Sequence, residues 1–350
     1  MRIHGGRIKA VLDFSVNINP LGPPQELLEI LGGVCSPKAL IEKYPDYEYS
    51  ALREALSEFY SIDQILIVPL NGSSEALPLV VLALRPRRIV SLEPTFGDHR
   101  ILCESLGIDC SPMFQRDLGD RFSAELEDLE RACKDEDALI YMSNPNNPTG
   151  SHIDPGEIVD MASRCRARIL VDEAYAELCD RCDRKLGEPY EGLIIARSLT
   201  KWLSAPGLRI GFLASSRAIA RAIDSIRPPW NVNSIAECCI TALLKGYGDR
   251  MTSFIERSRA YIAGERRFLS EAMSRAGLHV YRSSANYLLA RLPGDVDTDL
   301  VLKRLQGRGV SVRDCRSFAG LGRGYIRISV RRRDDNNLLA SILSGVLRSP

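Results

Sequence analysis

A chain of 350 residues, 45% of them hydrophobic, can bury a substantial core and is long enough for two domains, or one large domain with an appendage. Its 46 basic and 45 acidic residues leave a formal net charge of +1, which gives no reason to expect nucleic acid or an anionic membrane as a partner. No apolar run reaches transmembrane length, and the opening MRIHGGRIKAVLDF lacks a signal-peptide apolar region, so a cytoplasmic protein is expected.

In chain order, residues 1–34 show little periodicity and carry NINPLGPP from Asn17. They read as an arm that joins a smaller domain and packs near an active site. Residues 35–240 alternate strand-like and helix-like segments. RRIVSLEP reads as a buried strand, and FGDHRILCESLG as a helix ending in glycine. DALIYMSNP, ARILVDEAY, GLIIARSLT and LRIGFLAS read as further strands, with the helical PGEIVDMASRC between the first two. Such alternation predicts an α/β fold with a mainly parallel sheet flanked by helices. Residues 241–350 open on a long helical stretch around TSFIERSRAYIAGERRFLSEAMSRAG. Short strand-like runs, HVYRSSANYLLARL, VSVRDC and YIRISVR, follow around the helical DTDLVLKRLQGRG, which predicts a smaller α+β domain.

Ten cysteines are scattered, many in apolar stretches. Cys179 and Cys182 form a C-x-x-C, but no second pair completes a zinc site. Structural free thiols are expected, with no metal and no disulfide.

Polar motifs recur where the predicted strands end, the place where open α/β sheets bind ligands. NGSSEAL, from Asn71, offers backbone N–H groups, the hydroxyls of Ser73 and Ser74, and a helix start to a phosphate, or it is merely a capped helix. SNPNNPTG builds a rigid loop whose Asn147 presents an amide. VDEAY ends an apolar strand on Asp172, a carboxylate that needs a cationic partner there, with Tyr175 close behind. SLTKWLSAPGLRIG places Ser198, Thr200, Lys201 and Arg209 together. A lysine in such a loop either snorkels its amine to water or serves as a nucleophile toward an aldehyde.

Taken in this order, the four motifs resemble the fold-type I aminotransferase family dependent on pyridoxal 5'-phosphate, over nearly the whole chain. The resemblance implies that Lys201 binds the cofactor covalently and that Asp172 pairs with its pyridine nitrogen. Tyr175 and Asn147 would bond the ring's phenolic oxygen. Ser73, Ser74, Ser198, Thr200 and Arg209 would hold the phosphate. Phe96, in PTFGDH, would stack on the ring, unless it is plain core packing. Tyr44, in KYPD, matches a tyrosine that reaches the phosphate from the other subunit, which implies a homodimer with shared active sites.

Two sub-families compete for the reaction. Histidinol-phosphate aminotransferases carry NEN before PLGP, whereas this chain has NIN, with Ile18 in place of the acid. That change, the HGG at His4, PPWNVNSIA and ANYLLAR resemble the threonine-phosphate decarboxylases of cobalamin side-chain synthesis. This second resemblance implies that His4, Gly5, Asn17, Asn147, Arg313 and Arg327 contact a phosphorylated amino-acid substrate. Two departures are the short RIKAVL between HGG and DFS, and Tyr175 where some decarboxylases have phenylalanine. A non-catalytic binding protein on the same fold is the third reading, and the intact Lys201 and Asp172 argue against it.

Overall fold

A computed structural model describes residues 10–186, 189, 191–294 and 296–348. Seven strands form the central sheet: β1 (Ile67–Leu70), β2 (Arg88–Glu93), β3 (Asp109–Phe114), β4 (Ala138–Ser143), β5 (Arg168–Asp172), β6 (Leu193–Ser198) and β7 (Gly211–Ser215). Their spatial order is β1-β7-β6-β5-β4-β2-β3. The run from β6 to β3 is parallel, and β7 is antiparallel to both of its neighbours.

The central strands are apolar on both faces, as a sheet sandwiched between helices requires. On one face Leu139, Tyr141, Leu170 and Ile194 pack under helices Ala76–Leu84 and Arg217–Ile226. On the other, Ile140, Val171 and Ile195 pack against Leu126–Cys133 and Pro155–Arg164. Side chains alternate along a strand, so Asp172 shares the Leu170 face and Glu173 points to the opposite side. There Arg197 of β6 donates to Glu173 at 2.7 Å and to Glu177 at 2.9 Å, all three buried. This network pins the chain just beyond Asp172. Arg197→Ala leaves two buried carboxylates without their cation. The expected loss of stability in denaturant titration is about 3–5 kcal/mol; a loss below about 1 kcal/mol would contradict the role.

A second, antiparallel sheet orders His279–Val280, Tyr287–Arg291, Tyr325–Ser329 and Arg313–Asp314 side by side. Helices Thr298–Gly307 and Arg333–Arg348 cover it. The strand Leu12–Asp13 pairs parallel with Val310–Ser311, and Phe14 is buried in this second core. One helix, Ser234–Arg275, contributes its first part to the core around the Ser50–Tyr60 helix and its last turns, through Leu269 and Met273, to the core of the second sheet. Residues 240 and 241 lie inside it; its break comes at Tyr247 (φ −138°), between Gly246 and Gly248.

The cysteines correct the expectation of free thiols. Cys35–Cys238, Cys103–Cys110, Cys133–Cys165 and Cys179–Cys182 are disulfides, while Cys239 and Cys315 are free and buried. The Cα atoms of the pairs lie 5.7, 6.1, 4.4 and 5.4 Å apart. Pairing needs that proximity, which sequence spacing does not report.

Candidate active site

The ends of β4, β5 and β6 meet the turn after β1 around a cavity of about 400 Å³. Every residue expected at the cofactor lines it except Tyr44. Asp172 ends β5 at its floor, accepting the Ala174 N–H at 3.0 Å. Burial pushes its pKa up to about 6, opposed by that N–H and by the Lys201 charge. Lys201 sits on the short helix Leu199–Trp202 that follows β6. The neighbouring Trp202 is fully buried and anchors it. Asn19 braces the same turn: its N–H donates to Lys201 O at 3.0 Å and its amide to Trp202 O at 2.9 Å. Lys201 Nζ lies 5.9 Å from the centre of the Tyr175 ring.

One end of the cavity is built for an anion. Gly72 turns the chain at φ 77°, and Ser73 and Ser74 follow into the helix Ala76–Leu84. Arg209, itself left-handed at φ 53°, donates to Ser74 Oγ at 3.4 Å. Ser198 Oγ and Thr200 Oγ1 are 2.8 Å apart beside it. A Cβ on Gly72 would meet Arg209 Nη2 at 2.6 Å, and one on Gly211 would meet Arg197 O at 2.5 Å. At Gly211 the clash is with backbone, which cannot yield, and at Gly72 the positive φ disfavours any larger residue although the tip of Arg209 could move aside.

The second group of expected residues gathers around Asn147. Arg327 donates to Asn147 Oδ1, and to Ser15 O at 2.7 Å. Asn17 Oδ1, in the orientation that satisfies its amide, accepts from Arg327 Nε and Nη1 at 3.2 Å. The Asn17 amide is also 3.4 Å from Tyr175 OH. Arg313 pairs with Arg327 across adjacent strands, and its guanidinium donates to Ser317 Oγ at 3.1 Å. Arg313 and Arg327 are both buried, and neither forms an ion pair among the described residues. Burial and the Arg327 charge lower the Arg313 pKa. His4 and Gly5 lie outside the described residues. Tyr44 stands apart from the cavity: it is 78% exposed and stacks on Trp230 at 4.4 Å.

Besides Asn19, sequence reasoning missed three contributors. Asp98 lines the cavity just beyond Gly97. Ser15 gives Arg327 its carbonyl. Tyr287 donates to Asn146 O at 2.8 Å and packs edge-on against Tyr175, 5.0 Å between centres. The GD dipeptide was a signal for Asp98; nothing local marks the others.

These residues fit pyridoxal 5'-phosphate. The Gly72–Arg209 turn suits its phosphate, Asp172 awaits a cation, and Lys201 is an amine within the same cavity. A family model described as aminotransferase class I and II matches residues 9–342. The chain belongs to that family.

Class I and II aminotransferases depend on pyridoxal phosphate. The bound cofactor supplies an electron sink for the carbanion left when a bond at the substrate Cα breaks. Among curated relatives, an adenosylcobalamin biosynthesis bifunctional protein of Leptospira interrogans is 29% identical over 97% of this chain, which spans 39% of that protein. A protein of Caldanaerobacter subterraneus provisionally named threonine-phosphate decarboxylase is 29% identical, covering 94% of this chain and 89% of its own. The histidinol-phosphate aminotransferase of the same organism is also 29% identical, over 95% and 92%. Among solved structures, the histidinol-phosphate aminotransferase of Clostridium acetobutylicum aligns with TM-score 0.84 and 26% identity, covering 96% of this chain and 99% of that one. That of Sinorhizobium meliloti, in complex with pyridoxal-5'-phosphate, aligns at 0.82 and 24%, over 97% and 92%. No described helix is long and apolar enough to cross a membrane.

Proposed function

We propose that the chain decarboxylates L-threonine O-3-phosphate to (R)-1-amino-2-propanol O-2-phosphate and CO2, a step of cobalamin biosynthesis. The observation that carries this reading is the pair Arg313 and Arg327. Two buried guanidiniums on adjacent strands, bonded only to neutral acceptors among the described residues, call for anions. O-phosphothreonine brings two, a phosphate and a carboxylate. Ile18 supports the same choice: flanked by Asn17 and Asn19, it offers no charge where the aminotransferase motif has an acid. One Caldanaerobacter relative is provisionally named threonine-phosphate decarboxylase, and the Leptospira relative is named for adenosylcobalamin biosynthesis.

In this reading Ser73, Ser74, Ser198, Thr200 and Arg209 hold the cofactor phosphate, Phe96 stacks on its ring, and Asp172 keeps its ring nitrogen protonated. Asn147 and Tyr175 bond the phenolic oxygen. Lys201, which lines the cavity, would hold the cofactor and, once the substrate has displaced it, would return a proton to the carbon that loses CO2. Asn17, Arg313 and Arg327, with His4 and Gly5, grip the substrate at two separated points. That grip would fix the substrate's orientation in the cavity, with binding energy from the remote phosphate used to orient the bond that breaks. Tyr44, exposed on its own subunit, reaches a partner's phosphate in a cytoplasmic homodimer. The working division is an arm at 1–34, a cofactor-binding domain at 35–240 and a small domain at 241–350.

The second reading is an aminotransferase acting on a phosphorylated substrate such as histidinol phosphate. Tyr175 and the equally similar Caldanaerobacter aminotransferase favour it. The phosphate handle is tested by comparing substrates. Free threonine should react far more slowly than O-phosphothreonine. Arg313→Ala and Arg327→Ala should each lower kcat/KM for the phosphorylated substrate by roughly 2–4 kcal/mol. Equal kcat/KM for threonine and O-phosphothreonine in the wild-type enzyme would remove the basis of the proposal.

A further inference from the structure

The loops that carry Asn147 and Tyr175 continue into a second cluster behind the cavity. Past Asn147, the chain reaches His152; past Tyr175 and the turn Ala176–Leu178, it reaches Cys179 and Cys182. The possible ligand atoms of His152, Cys179 and Cys182 all lie within 4.8 Å of one another. The third member of the set therefore comes from another loop, not from a second C-x-x-C.

Each member is held in place. Ile153 N–H donates to Asn144 Oδ1 at 2.9 Å, and Asn144 Nδ2 donates back to Ile153 O at 2.9 Å. Ser151 O accepts from Asn146 N–H at 2.8 Å, so His152 is braced on both sides. Cys179 is fully buried and Cys182 nearly so, packed with Ala176 in a small apolar cluster. Beyond Cys182, Asp183 O accepts from the buried Arg197 at 3.1 Å. His152 Nε2 is buried and has no hydrogen-bond partner among the described residues. A buried ring nitrogen without a partner is an open coordination position. His152 and Cys182 also line a cavity of about 210 Å³ that gives an ion a way in.

We propose that His152, Cys179 and Cys182 form a binding site for a thiophilic divalent ion of the zinc type once the Cys179–Cys182 bond is reduced. The chemistry has two balanced steps. A dithiol reductant gives two electrons and two protons to the disulfide and itself becomes a disulfide. The ion then displaces the two thiol protons, binding two thiolates and one imidazole nitrogen, with water from the cavity in the fourth position. The disulfide closes only the short Cys179–Cys182 segment. The ion, through His152, ties the loop of Asn147 to the loop of Asp172 and Tyr175.

The probe is Co2+ added to the full-length protein after reduction and anaerobic removal of the reductant. The expected result is a thiolate-to-metal charge-transfer band and the visible bands of tetrahedral Co2+, saturating at one ion per chain. The same bands should be absent from the untreated, disulfide-bonded protein. They should be lost in Cys179→Ser and in Cys182→Ser, and the apparent affinity should fall about tenfold or more in His152→Ala. X-ray absorption of the reduced wild-type protein loaded with Zn2+ needs no variant: it should show two sulfur and two nitrogen or oxygen neighbours. The proposal is overturned if reduced protein gives no such spectrum, if Cys179→Ser with Cys182→Ser retains it, if His152→Ala binds as wild type does, or if zinc shows three or four sulfur neighbours.

Discussion

Lys201→Ala is expected to abolish turnover, a fall of roughly 10⁴-fold or more, with the fold retained. The reason is local. Lys201 is the lysine that lines the cavity, and a Ser, Thr or Arg beside it cannot condense with an aldehyde. Its side chain forms no ion pair among the described residues, so truncation strands no buried partner by direct contact. Trp202 and the Asn19 bonds to the turn backbone remain. The check is chemical as well as kinetic. Borohydride reduction of the purified wild-type holoprotein followed by peptide mapping should put the cofactor on the peptide containing Lys201. Recovery of the label on another lysine would contradict the site assignment, whatever the activity of the variant.

Asp172→Asn should lower turnover by roughly 10²–10³-fold or more while the cofactor still binds, since the amide cannot hold the ring nitrogen protonated. The same substitution has the opposite effect on the cofactor-free protein. Burial raises the Asp172 pKa from 3.8 to about 6, so the folded chain resists ionising it. Wild-type stability is therefore unaffected by this group at low pH and declines as pH rises from about 4 through 6. Above that window the gap corresponds to at most about 3 kcal/mol, less wherever water reaches the carboxylate. Cofactor-free Asp172→Asn lacks this penalty. In denaturant titrations it should be more stable than wild type at pH 8 and equal to it at pH 4. A variant that is less stable at both pH values, or that turns over normally with cofactor, contradicts the role of a carboxylate waiting for its cation.

The parallel centre of the sheet was legible because β2, β4, β5 and β6 are short apolar runs bounded by turn residues, and each ends on a polar motif. The two edge strands were not. β1 (IVPL) and β3 (DCSPMF) each contain a proline, which an edge tolerates and a central strand does not, so neither stands out as a strand in the sequence. The helix Ser234–Arg275 starts earlier than the strongest periodicity, because its first turns are capped by Asn233 and buried against the Ser50–Tyr60 helix.

That these residues line one cavity was readable since each motif keeps its members adjacent in sequence: Ser73 with Ser74, and Ser198 with Thr200 and Lys201. What brings distant segments together was not. Asn19 on the Lys201 turn, Tyr287 on Asn146, the four disulfides and His152 beside Cys179 are products of tertiary packing. Arg313 and Arg327 show the boundary between the two cases. Resemblance named them, but only strand register explains why both guanidiniums sit side by side and buried.

Reaction choice is tested most directly by incubating the holoenzyme with O-phosphothreonine, without any 2-oxo acid, and following CO2 and amine together. The expected yield is one CO2 and one aminopropanol phosphate per substrate consumed, over many turnovers, with no keto acid formed. Turnover that stops without a 2-oxo acid acceptor, releases no CO2 and proceeds faster with histidinol phosphate would contradict it.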